Sequence, residues 1–341
     1  MIVQKTLPNG IRLVYERMDY VRSLAMGVWV DTGSVRESPE TAGASHLIEH
    51  MVFKGTEKRS AEQIAIEMDA VGGNLNAFTS KECTCFYAKV LDEHLELAAD
   101  ILSDIVLNSV FDPDELKKEQ GVVLEEILMN EDTPEDVASE ESNMSFFEGE
   151  SLESAILGTK DSVRAFTRES LFAYKNEHYL PSNIVVACAG HFDEAQLVET
   201  ISRYFGGFEK PGSSKPLVER FPGGKRVRFV EKDVEQVHLC VTLPGFARDT
   251  EGQFPLAVLS NIIGGSMSSR LFQTIREKLG LAYSVYSYPT SFTTTGTFTL
   301  YAGTGDKQAA EVLGRMIDEI ENVRKNGVTK EELIRCRDQL K

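Results

Sequence analysis

Several features that mark other classes of protein are scarce or missing in this sequence of 341 residues. No apolar run approaches the roughly 20 residues that a membrane-spanning helix needs. The opening residues, MIVQKTLPNG, hold one lysine and no long apolar stretch, which argues against a secretory signal. Lys and Arg number 36 against 53 Asp and Glu, and the resulting net charge of −17 argues against nucleic acid as a partner.

Cysteine is also sparse, with five residues scattered along the chain. Cys83 and Cys85 are too close in sequence for an easy bridge, and no second pair completes a zinc site. This usage predicts a reducing, cytoplasmic setting. The excess of negative charge has two interpretations, which are simple solubility or a negatively charged chamber that prefers basic peptides.

The length and an apolar content of 42% suffice for two domains, each with its own core. Alternation and turn signals predict strands in the first half, at residues 4–7, 11–15, 24–30, 74–79, 84–91 and 183–189. Helical periodicity and start signals predict helices there, at residues 44–54, 61–71, 93–108 and 113–130.

A glycine- and proline-rich stretch, residues 206–225, predicts a linker at 209–225 between a first domain, 1–208, and a second domain, 226–341. The second half repeats the order of the first. Its predicted strands are 226–231, 237–243, 282–288 and 295–302, and its predicted helices are 254–263, 266–278, 307–325 and from 329 onward. The closing strand of the first half has no counterpart, so we expect either that the second domain is truncated or that residues outside this sequence complete it.

The stretch HLIEH, residues 46–50, holds a glutamate between two histidines four positions apart. On a helix, His46 and His50 lie about 40° apart and one turn along, so both imidazoles can reach one ion. Glu49 lies about 60° to the other side of His46, and the apolar residues occupy the opposite side of the helix. HxxEH is the mirror of the HExxH zinc motif, in which two histidines bind the metal and the glutamate acts as base. An exposed polar helix face is the alternative.

A hydrolytic zinc site usually needs a third protein ligand and keeps its fourth position for water. The predicted helix 113–130 offers four candidates, Glu115, Glu119, Glu125 and Glu126. Periodicity places Glu119 and Glu126 at the edge of the apolar stripe and Glu125 toward solvent. Glu126, with Glu119 two turns before it, is therefore the pair that can point inward. The alternative is that both are boundary glutamates of an amphipathic helix.

HLIEH, followed 76 residues after its second histidine by the last glutamate of EQGVVLEE (residues 119–126), resembles the pitrilysin/insulinase metallopeptidases. The nearer match is the processing-peptidase branch, and the resemblance covers nearly the whole chain. It implies an α+β fold of two tandem homologous domains, each a mostly antiparallel sheet with helices packed against it (the processing-peptidase/LuxS-like metallohydrolase type). It also implies one Zn²⁺ per chain, with His46, His50 and Glu126 as ligands. The domain 1–208 is then the catalytic, zinc-binding one, and 226–341 is a homologous domain without zinc. Glu49 is then the catalytic base, and Glu119 is a catalytic-site partner that orients a ligand.

Two further stretches carry the resemblance. GGNLNAFT, residues 72–79, is similar to the family's active-site edge strand, which pairs with the extended substrate by strand addition. The implied substrate-binding residues on it are Asn74, Asn76, Ala77, Phe78 and Thr79. REKLGLAY, residues 276–283, resembles the family's Arg/Tyr pair that contacts substrate near the cleaved bond, here Arg276 and Tyr283. The alternatives are an ordinary central strand for the first stretch and a solvated arginine beside a packed tyrosine for the second.

The resemblance implies a zinc-dependent endopeptidase that hydrolyses unfolded peptides or presequence-like segments inside a closed chamber. Glu49 would act as general base on the water held at the zinc. Because family members enclose substrate between four such domains, it also implies a homodimer in which Arg276 and Tyr283 of one subunit serve the zinc site of the other. Two alternatives remain, which are a catalytically silent scaffold subunit of the same fold and a peptide-binding protein with a structural zinc.

Overall fold

The structure is a computed structural model that describes residues 1–213, 217 and 226–341. The chain divides into two compact units, one of Met1–Ile127 with Ser154–Pro216 and one of Leu128–Glu153 with Leu217–Lys341. Most of the predicted linker 209–225 lies outside the described residues. The predicted domain limits stay predictions, and the second unit includes residues 128–153 from the first half of the sequence.

The first unit is built on a six-stranded mixed sheet. Its strands are β1 Val3–Thr6, β2 Arg12–Arg17, β3 Ser23–Val30, β4 Asn74–Thr79, β5 Thr84–Leu91 and β6 Ile184–Gly190. Their order is β1-β2-β6-β3-β5-β4, with β2 and β6 parallel and the other neighbours antiparallel. This order places β4 at one edge of the sheet.

Helices cover one face of this sheet. They are α1 Ala44–Met51, α2 Ala61–Asp69, α3 Leu95–Asn108, the part of α4 Pro113–Asp132 up to Ile127, α6 Lys160–Ala165, α7 Arg168–His178 and α8 Glu194–Phe205. Strand β3 shows how the faces divide, because Met26 and Val28 are buried in the core while Ala25 and Trp29 are exposed on the other face. This period of two leaves one face of the sheet uncovered by the helices of this unit.

The second unit holds a three-stranded antiparallel sheet of order β7-β9-β8, with β7 Val237–Pro244, β8 Ala282–Ser291 and β9 Gly296–Thr304. Its helices are α5 Pro134–Phe146, α9 Gln253–Ile263, a π-helix at Phe272–Lys278, α10 Ala309–Asn326 and α11 Lys330–Leu340. The core of this unit lies between the sheet and helices, around Ile263, Leu300 and Met316, which are fully buried. The predicted α+β class, with sheets and packed helices in both units, is confirmed. None of the helices in the part of the chain that the structure describes combines the length and the apolar character of a membrane span.

The structure differs from the predicted elements in three places. The predicted strand 226–231 is wrong, because this stretch is not a strand and its apolar side chains Val227 and Phe229 are 97% and 85% exposed. Alternation alone cannot form a strand without a neighbour to complete the hydrogen-bond ladder. The predicted helix 266–278 is a shorter π-helix. Helix α5 lies outside the predicted helices, and it has no fully buried residue to mark a helical period.

Candidate metal centre

Helix α1 is short, and it separates an apolar side from a polar one. Leu47, Ile48 and Met51 are fully buried in the core. His46 and His50 lie on the other side of the helix, where they are half-buried. Their ring centroids are 4.7 Å apart, so the two imidazoles are neighbours across one helical turn.

Helix α4 brings the third group to these histidines. The Oε2 atom of Glu126 lies 3.6 Å from Nε2 of His46 and 3.6 Å from Nε2 of His50. The other glutamates of α4 follow the predicted periodicity, since Glu119 is buried and Glu125 is exposed. Helix packing therefore brings together three side chains that are far apart in the sequence.

These three residues fit a zinc ion in their chemistry and spacing. His46, His50 and Glu126 each offer one ligand atom, and these atoms all lie within 4.8 Å of one another. Among the described residues this is the one group of three or more His, Cys, Asp or Glu side chains close enough to hold a metal ion. Two imidazoles and one carboxylate form a donor set of catalytic zinc sites, and ligands at about 2 Å in a tetrahedron lie about 3.3 Å apart.

Glu119 orients one of the two histidines. Its Oε2 accepts a hydrogen bond from Nδ1 of His50 across 3.0 Å, while its Oε1 lies 2.7 Å from the ammonium of Lys54. A carboxylate can only accept, so Nδ1 of His50 carries the proton and Nε2 keeps its lone pair toward Glu126. This is the hydrogen-bonding pattern that fixes the tautomer of a metal-binding histidine.

His46 is neutral near pH 7 in this surrounding. Burial, with a smaller contribution from the neighbouring His50, lowers the pKa of His46 to about 4. Its Nδ1 is buried without a hydrogen-bond partner among the described residues. A neutral imidazole is the form that binds a metal, so no proton has to leave His46 before it can act as a ligand.

Glu49 lies beside this group, and its carboxylate is held by strand β4. The hydroxyl of Thr79 donates a hydrogen bond to Oε2 of Glu49 across 2.5 Å. Burial raises the pKa of Glu49 above its ordinary value, and the bond from Thr79 and the nearby His50 act in the opposite direction. A carboxylate with a raised pKa is closer to the working range of a general base at neutral pH.

The edge strand β4 presents alternate side chains to its two faces. Asn74, Asn76 and Phe78 are exposed, while Ala77 and Thr79 are half-buried. The Phe78 ring packs edge-on against Trp29 at 5.5 Å, beside an apolar groove of about 480 Å³ on the uncovered face of the sheet. Strand β4 therefore offers a free edge for pairing together with an apolar surface next to it.

Arg276 and Tyr283 lie together in the second unit. The Arg276 guanidinium donates to the main-chain oxygen of Tyr283 across 2.9 Å and stacks over its ring at 4.5 Å. The Tyr283 side chain is 73% exposed. Both residues are therefore placed as one pair at the surface of their unit.

Sequence reasoning missed two contacts in the first unit, the pairing of Lys54 with Glu119 and the bond from Thr79 to Glu49. The resemblance implies only a substrate-binding role for Thr79. Alternation along β4 places Thr79 on the opposite face from Phe78, which was a readable signal that the threonine faces the helices. Lys54 lies beyond the last residue of α1, so no helical spacing relates it to Glu119.

Comparison with known proteins agrees with this geometry. A family model described as insulinase (peptidase family M16) matches residues 12–160, and one described as peptidase M16 inactive domain matches residues 165–340. Together they show two tandem domains of one family.

Individual relatives extend over nearly the whole chain. The uncharacterized zinc protease YmxG of Bacillus subtilis is 43% identical over 100% of this chain and 83% of the relative. The uncharacterized zinc protease SCO5738 of Streptomyces coelicolor is 41% identical over 98% of this chain and 74% of the relative. A solved structure of a protease from Helicobacter pylori shares the fold with a TM-score of 0.94 at 21% identity, covering 100% of this chain and 84% of that one. The chain belongs to the insulinase family, peptidase family M16.

Proposed function

We propose that this protein is a zinc-dependent endopeptidase that hydrolyses unfolded peptides or presequence-like segments. The observation that carries the proposal is the convergence of His46, His50 and Glu126, whose ligand atoms lie within 4.8 Å of one another. The relatives named as zinc proteases support the same reaction class.

His46, His50 and Glu126 would hold the zinc ion, which would supply Lewis acidity to a water molecule and to the peptide carbonyl. Glu49 accepts the proton of the attacking water and delivers it to the leaving amine. Thr79 keeps one oxygen of that carboxylate engaged, so the other oxygen is left for the proton. Glu119 keeps the His50 ring turned with Nε2 toward Glu126.

We propose that the substrate binds as an added strand on β4. Strand addition supplies main-chain hydrogen bonds for any extended peptide, while side chains on alternate positions meet different surfaces. Asn74, Asn76 and Phe78 face one side of such a peptide and Ala77 the other. The net charge of −17 favours basic peptides.

The same proposal includes a homodimer that encloses the substrate, with Arg276 and Tyr283 of one subunit serving the metal centre of the other. It is supported by the exposure of Tyr283 and by its stacking with Arg276, which together offer a cation and a ring to a partner. We also propose a reducing, cytoplasmic location, supported by five cysteines that are all free thiols.

Metal analysis combined with cleavage of a quenched basic peptide tests the proposal. The wild-type protein is expected to hold one Zn²⁺ per chain and to lose cleavage when a chelator removes it. Glu126→Gln should weaken zinc binding by more than roughly 100-fold, because changes to residues that only hydrogen-bond to a ligand already weaken it by up to that factor. Glu125→Gln, its exposed neighbour on α4, is the matched control and should match the wild type.

Glu49→Gln separates binding from catalysis. This variant is expected to keep its zinc and to lose roughly 10²- to 10⁴-fold in kcat/KM, because only the base is removed. Loss of zinc with Glu49→Gln contradicts the assignment of the base. Zinc without cleavage in the wild type supports the peptide-binding alternative, and a wild type without zinc supports the scaffold.

A further inference from the structure

We propose that Glu37 is a positioning residue for the metal centre, because its carboxylate fixes the first turn of α1 and thereby the placement of His46. The part of this proposal that concerns zinc rests on the proposed function. Glu37 itself is nine positions before His46 and belongs to the loop that leads into the helix.

The carboxylate of Glu37 acts as the missing cap of α1. Its Oε2 accepts a hydrogen bond from the backbone N–H of Gly43 across 2.7 Å, and its Oε1 accepts one from the N–H of Ser45 across 2.8 Å. The first N–H groups of a helix have no partner within the helix. Gly43 stands at the cap position and has no side chain that could bind them. Glu37 therefore supplies the hydrogen-bond acceptor that a Ser or Asp side chain at the cap position would otherwise provide.

Charge strengthens this contact. The N-terminus of a helix carries a partial positive charge that favours a carboxylate placed there, and hydrogen bonds to an ionised acceptor are stronger than those to a neutral one. Burial raises the pKa of Glu37, and the bonds from the N–H groups of Ser45 and Gly43 act in the opposite direction by favouring the carboxylate. The backbone of Glu37 is itself held, because its N–H donates to the main-chain oxygen of Ser34 across 3.1 Å. The backbone of Glu37 is therefore held in the position from which its side chain caps α1.

The turn that Glu37 binds leaves little freedom for any other arrangement. Gly43 has φ = 88°, and a Cβ at this position would lie 2.7 Å from the main-chain oxygen of Leu157. On the far side of the first turn, the Ser45 and Tyr174 hydroxyls lie 2.9 Å apart. Glu37 is the carboxylate of this set, and it accepts hydrogen bonds from the N–H groups of Gly43 and Ser45, three positions and one position before His46.

Displacement of this turn affects the metal centre because α1 is only eight residues long. A helix of two turns is not stable by itself, so its start is fixed by outside contacts. His46 lies in the first turn, whereas Glu126 is held independently on α4. A metal site tolerates deviations of only about 0.2 Å in its ligand distances, so a small shift of the first turn weakens the binding of the ion.

The test compares Glu37→Gln with Glu40→Gln in the full chain. Glu40 lies in the same loop and is exposed, so it controls for the loss of one negative charge nearby. Zn²⁺ affinity is measured by competition with a chelating indicator, and amide hydrogen exchange at residues 43–50 is measured on metal-free protein.

The side chain of Glu37→Gln retains an oxygen that can accept from one N–H group, but it turns an amide N–H₂ donor toward the other. The variant should bind Zn²⁺ about 10- to 100-fold more weakly, with faster exchange at Gly43 and Ser45. Glu40→Gln should match the wild type in both measurements.

Kinetics distinguish positioning from simple stabilisation. In Glu37→Gln at saturating Zn²⁺, kcat should fall while KM stays unchanged, because the substrate edge of β4 is not altered. A folded Glu37→Gln with wild-type Zn²⁺ affinity and kcat, but lower resistance to denaturant, overturns the proposal and leaves a structural cap. If Glu37→Gln does not fold, Glu37→Asp replaces it. The shorter carboxylate cannot reach both N–H groups, so wild-type affinity in that variant also overturns the proposal.

The outcome remains separable from the proposed function. If the wild-type protein binds no Zn²⁺, the endopeptidase proposal fails and the zinc part of this inference fails with it. Amide hydrogen exchange at residues 43–50 then tests the remaining claim, which is that Glu37 fixes the first turn of α1. Unchanged exchange in Glu37→Gln overturns that part as well.

Discussion

Glu49 shows how a single hydroxyl sets the geometry of a catalytic group. A glutamate on a short helix has three freely rotating bonds, and holding it in one orientation costs side-chain entropy. The bond from Thr79 removes that freedom on one oxygen only. The contact joins α1 to β4, so the base is aligned by the same strand on which we propose the substrate to bind.

Thr79→Val tests this alignment with a change of nearly the same shape. We expect kcat to fall by about tenfold, because a base that must be reoriented contributes less of the roughly 10²- to 10⁴-fold effect of general base catalysis. Zinc content should stay unchanged, since Thr79 does not contact a ligand. Thr6→Val, at an exposed position on β1, is the control for a threonine-to-valine change in a strand of this sheet. Unaltered kcat in Thr79→Val would show that Glu49 needs no such support.

Among the elements, α7 contains a buried lysine. Its Lys175 is 6% exposed, and the ammonium lies 3.5 Å from the main-chain oxygen of Leu107 and 5.3 Å from the centre of the Phe111 ring. Burial, with a smaller contribution from Lys210, lowers the pKa of Lys175 to about 8 from 10.5. The protein therefore folds at neutral pH with a desolvated positive charge in the helix layer.

Lys175→Met should increase the free energy of unfolding at pH 7 by about 1–3 kcal/mol, since each pKa unit corresponds to ~1.4 kcal/mol. Between pH 8 and 10.5 the unfolded chain binds a proton at Lys175 that the folded chain does not. The stability of the wild-type protein relative to the variant therefore rises with pH across this window, and the advantage of Lys175→Met shrinks. Denaturant titrations at pH 7, 9 and 10 measure the change, with Lys117→Met on the exposed side of α4 as control. An advantage that grows with pH contradicts the assignment.

At the scale of the whole molecule, the two units contribute different chemistry. The first unit holds His46, His50 and Glu126. The second unit presents Arg276 and Tyr283 and contains no further group of metal-binding side chains within its described residues. The proposed action of Arg276 and Tyr283 on the metal centre of a second subunit is a proposal about the assembled protein, and it needs a test at that scale.

Mixing two inactive variants tests whether that combination occurs between subunits. Glu49→Gln and Arg276→Ala are each expected to be inactive. In a heterodimer of the two, the Glu49 of one subunit meets the intact Arg276 of the other. Random exchange of subunits should restore about a quarter of the wild-type activity, because half the dimers are mixed and each has one complete site. Absence of any recovery, with exchange verified by native mass spectrometry, shows that Arg276 does not act across subunits.

Sequence periodicity predicts a large part of the candidate metal centre. The helical spacing of HLIEH and the stripe on α4 identified which of four glutamates could face inward, and the structure places Glu126 beside both histidines. Strands β4 and β5 have the predicted limits, because alternation and flanking turn residues mark both ends. The sequence analysis predicts neither α6 nor α7, although Thr159 and Thr167 are N-cap residues whose hydroxyls accept hydrogen bonds from the N–H groups of Ser162 and Ser170.

The sequence by itself determined α1, α4, β4 and β5, the polar face of α1 and the candidate ligands, because helical and strand periods are local properties of the chain. Tertiary structure alone decided that Thr79 binds Glu49, that Lys54 pairs with Glu119 and that Glu37 caps α1. These contacts join residues in different elements, and their distances depend on how sheet and helices pack. It also decided against a strand at 226–231, since a strand exists only where a neighbour completes its hydrogen bonds.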